Sequence, residues 1–128
     1  MTEKEFDEFL ESVGGLENGF YSEHEPIKTR RYFDIDDGWL PLVKELISKL
    51  IALGWDKQLS QVKEKWGGLR FYINSGSDEV HALILEYENK SGHICEMCGE
   101  PGKTGKTNTG WIKTLCSNCE KLKGDVDK

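Results

Sequence analysis

The four cysteines of this chain form two pairs with the same internal spacing. Two residues separate Cys95 from Cys98 and Cys116 from Cys119, and 17 residues lie between the pairs. Two intervening residues let a tight turn bring both sulfurs of a pair to one ion, and Zn²⁺ takes four such ligands in a tetrahedron. The spacing therefore predicts one structural Zn²⁺ ion, because four cysteine ligands leave no coordination position open for catalysis.

The cysteines have two alternative uses, a redox dithiol and free thiols. The presence of two matched cysteine pairs at zinc spacing disfavours both the redox dithiol and the free thiols. We predict a zinc-binding module over residues 93–128, with a turn-rich stretch at 103–109, a strand at 110–115 and a short helix at 120–123. This order is typical of a treble clef, and a zinc ribbon is the near alternative. His93 is expected on the surface beside the first pair.

Three helices are predicted within residues 1–92, which we expect to form an α+β domain ahead of the module. The first begins at a capping box of Thr2 and Glu5, the second near Pro41, and the third at Ser77. Each helix has an apolar stripe at helical spacing: Phe6, Phe9, Leu10 and Val13 in the first; Leu42, Val43, Leu46, Ile47, Leu50 and Leu53 in the second; Val80, Leu83, Ile84 and Tyr87 in the third.

The strands are expected to form a small antiparallel sheet. Alternating residues predict one strand from Ile27 to Ile35. A hairpin is predicted from Gln58–Trp66 and Leu69–Asn74, joined by a two-residue loop of Gly67 and Gly68. Pairing outward from that loop matches Trp66 with Leu69, Glu64 with Phe71, and Val62 with Ile73. Strands grouped with about three helices indicate the α+β class.

The second face of this hairpin is basic and holds one aromatic ring. It contains Lys63, Lys65, Arg70 and Tyr72. Such a face could bind a nucleic-acid backbone, with Tyr72 stacking on a base. A solvated sheet face is the alternative, and the acidic balance of the whole chain favours it.

Acidic residues are concentrated near the start of the chain. The 128 residues have a formal net charge of −6, and residues 1–40 contain 11 acidic against four basic side chains. Five of the acids cluster in sequence: Glu23, Glu25, Asp34, Asp36 and Asp37. A solvated loop and a helix cap explain most of them, so catalysis is disfavoured. They are instead candidates for binding a basic surface of a partner protein.

Other features bear on location and on catalysis. No apolar run approaches the length of a membrane helix, and Met1–Glu5 lacks the pattern of a signal peptide. We therefore expect a soluble, cytoplasmic protein with no membrane partner. The three histidines are dispersed and form no triad, so no enzyme is predicted. Four tryptophans indicate core packing, with any exposed ones marking a protein interface.

Three stretches together resemble a group of small uncharacterised proteins of phages, prophages and bacterial genomes. They are the hairpin phrase VKEKWGGLRFY at 62–72, the segment GWLPL at 38–42, and the cysteine pairs with GWIKTLC at 110–116. The resemblance covers residues 38–119. It implies an accessory protein that acts on a host factor, such as a defence system.

These observations predict a non-enzymatic, zinc-stabilised protein that binds another macromolecule. Another protein is the expected partner, and covering a basic surface on a host nucleic-acid enzyme is the expected mode of action. The alternative is nucleic-acid binding through the basic hairpin face and the lysines of the zinc module.

Overall fold

The structure, a computed structural model, describes residues 1–18, 26–107 and 110–120. It is a mixed helix and strand fold, as expected. The elements are α1 (Glu3–Ser12), β1 (Glu17–Asn18), β2 (Phe33–Asp34), α2 (Leu40–Ala52), β3 (Gln58–Lys65), β4 (Gly68–Ile73), α3 (Asp78–Ser91), β5 (Lys103–Lys106) and β6 (Ile112–Leu115). Short 3-10 turns lie at Arg30–Tyr32 and Asp37–Trp39. Within the described ranges, none of the helices is long and apolar enough to cross a membrane.

The helices begin where the sequence predicts. Thr2 accepts a hydrogen bond from the Glu5 amide while the Glu5 carboxylate accepts one from the Thr2 amide, which completes the capping box of α1. Ser77 caps α3 through the amide of Val80. The apolar stripes face the core, with Val13 and Leu83 partly buried at its margin. Leu53 lies beyond the end of α2 and is 44% exposed, so its assignment to the buried face was wrong.

The main sheet is mixed rather than purely antiparallel. Strand β3 is central; β4 pairs with it antiparallel, while β1 and β2 both pair with it parallel on the other side. Helix α2 lies between β2 and β3 in the chain and supplies the long crossover that a parallel pair requires. The prediction of an antiparallel sheet was therefore wrong for β1 and β2, because two-residue strands are too short to show a pattern that would indicate their direction.

The predicted strand from Ile27 to Ile35 is reduced to Phe33–Asp34. Arg30 is the reason, because its guanidinium donates to the carbonyl oxygens of Phe33 and Ile35 and pairs with Asp37. Its backbone amide also donates to Asp7 of α1 over 2.7 Å. These bonds stabilise the 3-10 turn at Arg30–Tyr32, where the alternation of residue types had predicted a strand. Ile27, Phe33 and Ile35 are nevertheless buried.

The hairpin forms, but its predicted loop and register were wrong. The loop is Trp66-Gly67, and Val62 stands opposite Phe71 with Lys65 opposite Gly68. Trp66 has φ 53° and Gly67 has φ 78°, the positive values that a two-residue hairpin loop requires at both positions. The pairing partners shift by two residues, so the paired side chains stay on their predicted faces. Trp66, predicted to pair with Leu69, lies in the loop instead.

Helix α3 covers the outer edge of β4. The hydroxyl of Ser91 accepts a hydrogen bond from the Leu69 amide over 2.9 Å, and the Glu88 carboxylate accepts one from the Phe71 amide over 2.9 Å. These side chains satisfy amides that would otherwise offer an open strand edge to another chain.

The start of α2 lies against the first cysteine pair. The Gly38 amide donates to the Glu96 carbonyl over 2.9 Å, and the indole of buried Trp39 donates to the Ile94 carbonyl over 2.9 Å. A Cβ at Gly38 would collide with the Cys95 carbonyl oxygen and stand 2.6 Å from the Glu96 carbonyl carbon. Only glycine fits this contact, because the obstructing atoms are backbone.

We predict that Gly38→Ala lowers the free energy of unfolding by roughly 3 kcal/mol, since the added methyl group forces two backbone segments apart. Gly105→Ala is the matched control, because no heavy atom lies within 4 Å of the added Cβ. Denaturant unfolding followed by circular dichroism measures both variants. Equal midpoints for the two would contradict the tight contact.

Candidate metal centre

The four cysteines come together at one point, as their spacing predicts. Their sulfur atoms all lie within 4.8 Å of one another, and the Sγ atoms of Cys98 and Cys116 are 3.5 Å apart. A tetrahedron of four Zn–S bonds places neighbouring sulfurs about 3.8 Å apart. The cluster therefore has the donor set and the dimensions to hold one metal ion.

Each cysteine pair sits in a tight turn. In the first, the Gly99 amide donates to the Cys95 carbonyl over 2.9 Å, and Gly99 has φ 84°, which glycine adopts without strain. In the second, Cys116 directly precedes a helical turn at 117–120, and the Cys119 amide lies 3.4 Å from its Sγ. Amides directed at sulfur stabilise the thiolate form that a metal requires.

A hairpin connects the two turns. Strands β5 and β6 pair antiparallel, with Thr104 opposite Thr114. The sequence predicted β6 but took Lys103–Lys106 as part of a turn-rich stretch. All four residues of β5 are exposed, so the strand shows no apolar alternation that would reveal it. The predicted helix at 120–123 begins earlier, and residues 121–128 lie outside the described part.

The electrostatics of the cluster favour a bound cation. Burial raises the pKa of the Cys119 thiol, and the neighbouring sulfurs of Cys116, Cys95 and Cys98 raise it further. Burial also acts to raise the pKa of Cys95, but backbone hydrogen bonds outweigh it and lower that pKa to about 7. Four thiolates at this separation repel one another, and a divalent ion removes that cost.

A buried ion pair fixes the metal-binding segment to the sheet. The Lys113 ammonium lies 3.2 Å from Glu96 and 3.1 Å from Glu64, and the Glu96 side chain is only 2% exposed. Glu96 also accepts a hydrogen bond from the Thr114 amide over 3.0 Å. Lys113 thus joins the first cysteine turn to β3, and a buried carboxylate depends on it for its counter-charge.

The tip of the β3–β4 hairpin rests on β6. Thr114 is buried, and its hydroxyl donates to the Gly67 carbonyl and contacts the Thr104 hydroxyl at 2.6 Å. A Cβ at Gly67 would lie 3.1 Å from the Lys113 carbonyl carbon. Neither this contact nor the Glu96–Lys113 pair could be predicted from the sequence, because the partners lie 47 and 17 residues apart along the chain.

The other predicted binding residues fall into two groups. Lys63, Lys65, Arg70 and Tyr72 share the predicted face of the hairpin, with Lys63 opposite Arg70 and Gln61 opposite Tyr72. The acidic residues Asp34, Asp36 and Asp37 are exposed, and the Asp37 carboxylate pairs with Arg30 at 3.0 Å. Glu23 and Glu25 lie outside the described residues.

Comparison with known proteins gives this chain no relative. No family model, curated protein or solved structure matches it.

We predict that the purified protein holds one metal ion per chain and that Cys98→Ser loses it on dialysis against a weak chelator. Cys98 is exposed, so its substitution removes a ligand without opening the core. Inductively coupled plasma mass spectrometry measures the content and identifies the element. Ser117→Ala, in the same cluster of turns, should keep the ion; equal content in both variants would contradict the site.

We predict that Lys113→Ala lowers the free energy of unfolding by about 3 kcal/mol, because it leaves the Glu96 carboxylate buried without a counter-charge. Lys106→Ala, an exposed lysine on the neighbouring strand, should change it by less than about 0.5 kcal/mol. Denaturant unfolding of the metal-loaded proteins compares them. Indistinguishable curves would show that the ion pair contributes nothing to stability.

Proposed function

We propose that this chain is a zinc-stabilised protein that acts by binding another protein and catalyses no reaction. Zinc is the metal that best suits four thiolate ligands in a tetrahedral cluster of these dimensions. All four cysteines of the chain belong to the cluster, so metal binding removes every thiol as a nucleophile. The ion then has a structural role.

We further propose that the metal-binding segment is a treble clef. The sequence of a cysteine turn, the β5–β6 hairpin and a second cysteine pair at a helical turn supports this form over a zinc ribbon. Within the described ranges, the buried hydrophobic residues of this segment are Cys95 and Leu115. In either form, the ion therefore stabilises a segment that has too few buried apolar side chains to form a core of its own.

The observation that carries the protein-binding proposal is the exposure of Trp111 and Ile112. Trp111 is 67% exposed and Ile112 is 41% exposed, whereas Trp39 and Trp55 are buried in the core. Tryptophan is the residue most enriched among those that dominate the binding energy of protein interfaces. Ile112 begins β6 and Trp111 directly precedes it, so both side chains lie at the end of a strand that pairs with β5 and contacts the hairpin tip through Thr114.

The resemblance of residues 38–119 to small phage and bacterial proteins suggests what the partner is. We propose a bacterial host factor, such as a defence protein or a nucleic-acid enzyme, which this chain inhibits by covering its surface. Exposed Asp34 and Asp36 would contribute charge toward a basic partner. Asp37 contributes less, because Arg30 already neutralises it.

Affinity capture from a nuclease-treated bacterial lysate tests the proposal. We expect a stoichiometric partner protein with the wild-type chain and about thirtyfold weaker binding with Trp111→Ser, since the loss of an anchoring tryptophan costs about 2 kcal/mol or more. Leu85→Ser is the matched control, because Leu85 is a similarly exposed apolar residue on α3. Equal capture by all three forms would overturn the assignment of the surface.

A further inference from the structure

We infer that the chain has a second binding surface, for single-stranded nucleic acid, on the outer face of the β3–β4 hairpin. We call this surface the hairpin face; it consists of the strand residues Lys63, Lys65, Arg70 and Tyr72 together with Trp66 of the loop, whose ring lies beside the Lys65 ammonium. It is built from other residues than the protein-binding strand end at Trp111, so the inference goes beyond the proposed function and stands or falls separately.

Trp66 occupies a position where the backbone disfavours it. Its φ of 53° is left-handed, and a two-residue hairpin loop prefers asparagine or glycine there. Burial in the core does not account for the side chain, since it is 69% exposed. A bulky residue held in a strained, exposed turn points to use of its side chain by a ligand.

The backbone of this turn is held in place by hydrogen bonds of the neighbouring Gly67. The Glu64 carboxylate accepts a hydrogen bond from the Gly67 amide over 2.7 Å, and the Thr114 hydroxyl donates to the Gly67 carbonyl. Gly67, which follows Trp66 in the loop, is therefore hydrogen-bonded both to β3 and to β6. A ring carried on such a turn loses little conformational entropy when a base stacks on it.

Cations alternate with aromatic rings along the hairpin face. The Lys65 ammonium is 4.9 Å from the centre of the Trp66 ring, and the Lys63 ammonium is 6.0 Å from that of Tyr72, which is 43% exposed. Within the described part of the chain, Lys63, Lys65 and Arg70 form no ion pair. Free cations beside exposed rings can bind phosphates while the rings stack on the adjacent bases.

The same features favour a single strand over a duplex. Rings can stack only on bases that are not already paired and stacked, and sequence-tolerant binding of single strands combines such stacking with a basic track. The acidic Asp34 lies beside Lys63 in the sheet, which confines the track to β3 and β4. Three cations correspond to about three phosphate contacts, so the affinity should be modest and strongly dependent on salt.

Fluorescence anisotropy of a labelled oligothymidylate of about 15 nucleotides tests the inference with the metal-loaded full chain. We expect saturable binding that weakens about 20-fold between about 50 and 200 mM NaCl, as three contacts on a single strand predict. A duplex of the same length should bind more weakly. Absence of saturable binding at the lower salt concentration would overturn the inference.

Trp66→Asn separates the role of the ring from that of the fold. Asn-Gly is the preferred sequence for this loop, so the variant should unfold at a midpoint no lower than that of wild type. Its affinity for the oligonucleotide should fall about tenfold through the loss of stacking. Unchanged affinity in the stably folded variant would remove Trp66 from the site.

Charge variants test the phosphate contacts. Lys63→Gln with Lys65→Gln should reduce the salt effect to about threefold, because one contact remains. Lys44→Gln with Lys90→Gln removes the same charge from the helices and should leave the 20-fold effect intact. If both double variants changed the salt dependence of the affinity equally, the binding would be non-specific electrostatic attraction, and the proposed site would be wrong. None of these outcomes changes the expected dependence of protein capture on Trp111.

Discussion

The contact between the metal-binding segment and the rest of the chain is the constraint on which the other features depend. Gly38 meets the backbone of Cys95 and Glu96 with no space for a side chain, and the Trp39 indole closes the same contact from the core. A second contact joins Gly67 to Thr114 at the hairpin tip. Two separated contacts fix both the position and the orientation of the segment against the helices and sheet of the preceding chain.

This arrangement explains how a segment with little apolar content of its own is placed. The proposed ion would hold the four cysteines at one point, while the Glu96–Lys113–Glu64 network and Thr114 attach the segment to β3 and to its turn. A buried charged pair adds little net stability compared with apolar packing, but it is costly to break. Such a network favours one docked arrangement over others that would leave Glu96 unpaired.

Both proposed binding surfaces depend on that docking. Trp111 directly precedes β6, the strand that carries Lys113 and Thr114, and Trp66 lies in the turn that rests on the same strand. The two exposed tryptophans therefore flank one rigid junction, whereas the two buried ones pack in the core. Packing in the core explains the presence of Trp39 and Trp55, and binding to partners offers a physical reason for Trp66 and Trp111.

Features that rest on local chemistry could be predicted from the order of the amino acids alone. The cysteine spacing predicts the cluster, the capping residues and apolar stripes predict the helices, and period-two alternation predicts which hairpin residues share a face. Features that depend on contacts between distant residues became visible only in the folded chain. The side-chain bonds of Arg30 replace a predicted strand, the docking of Gly67 on β6 accompanies a loop shifted by one residue, and α2 permits parallel pairing of strands too short to be recognised. These three features depend on contacts between residues far apart in the chain or on contacts made by the backbone. Contacts of these two kinds leave no periodic pattern in the amino-acid sequence.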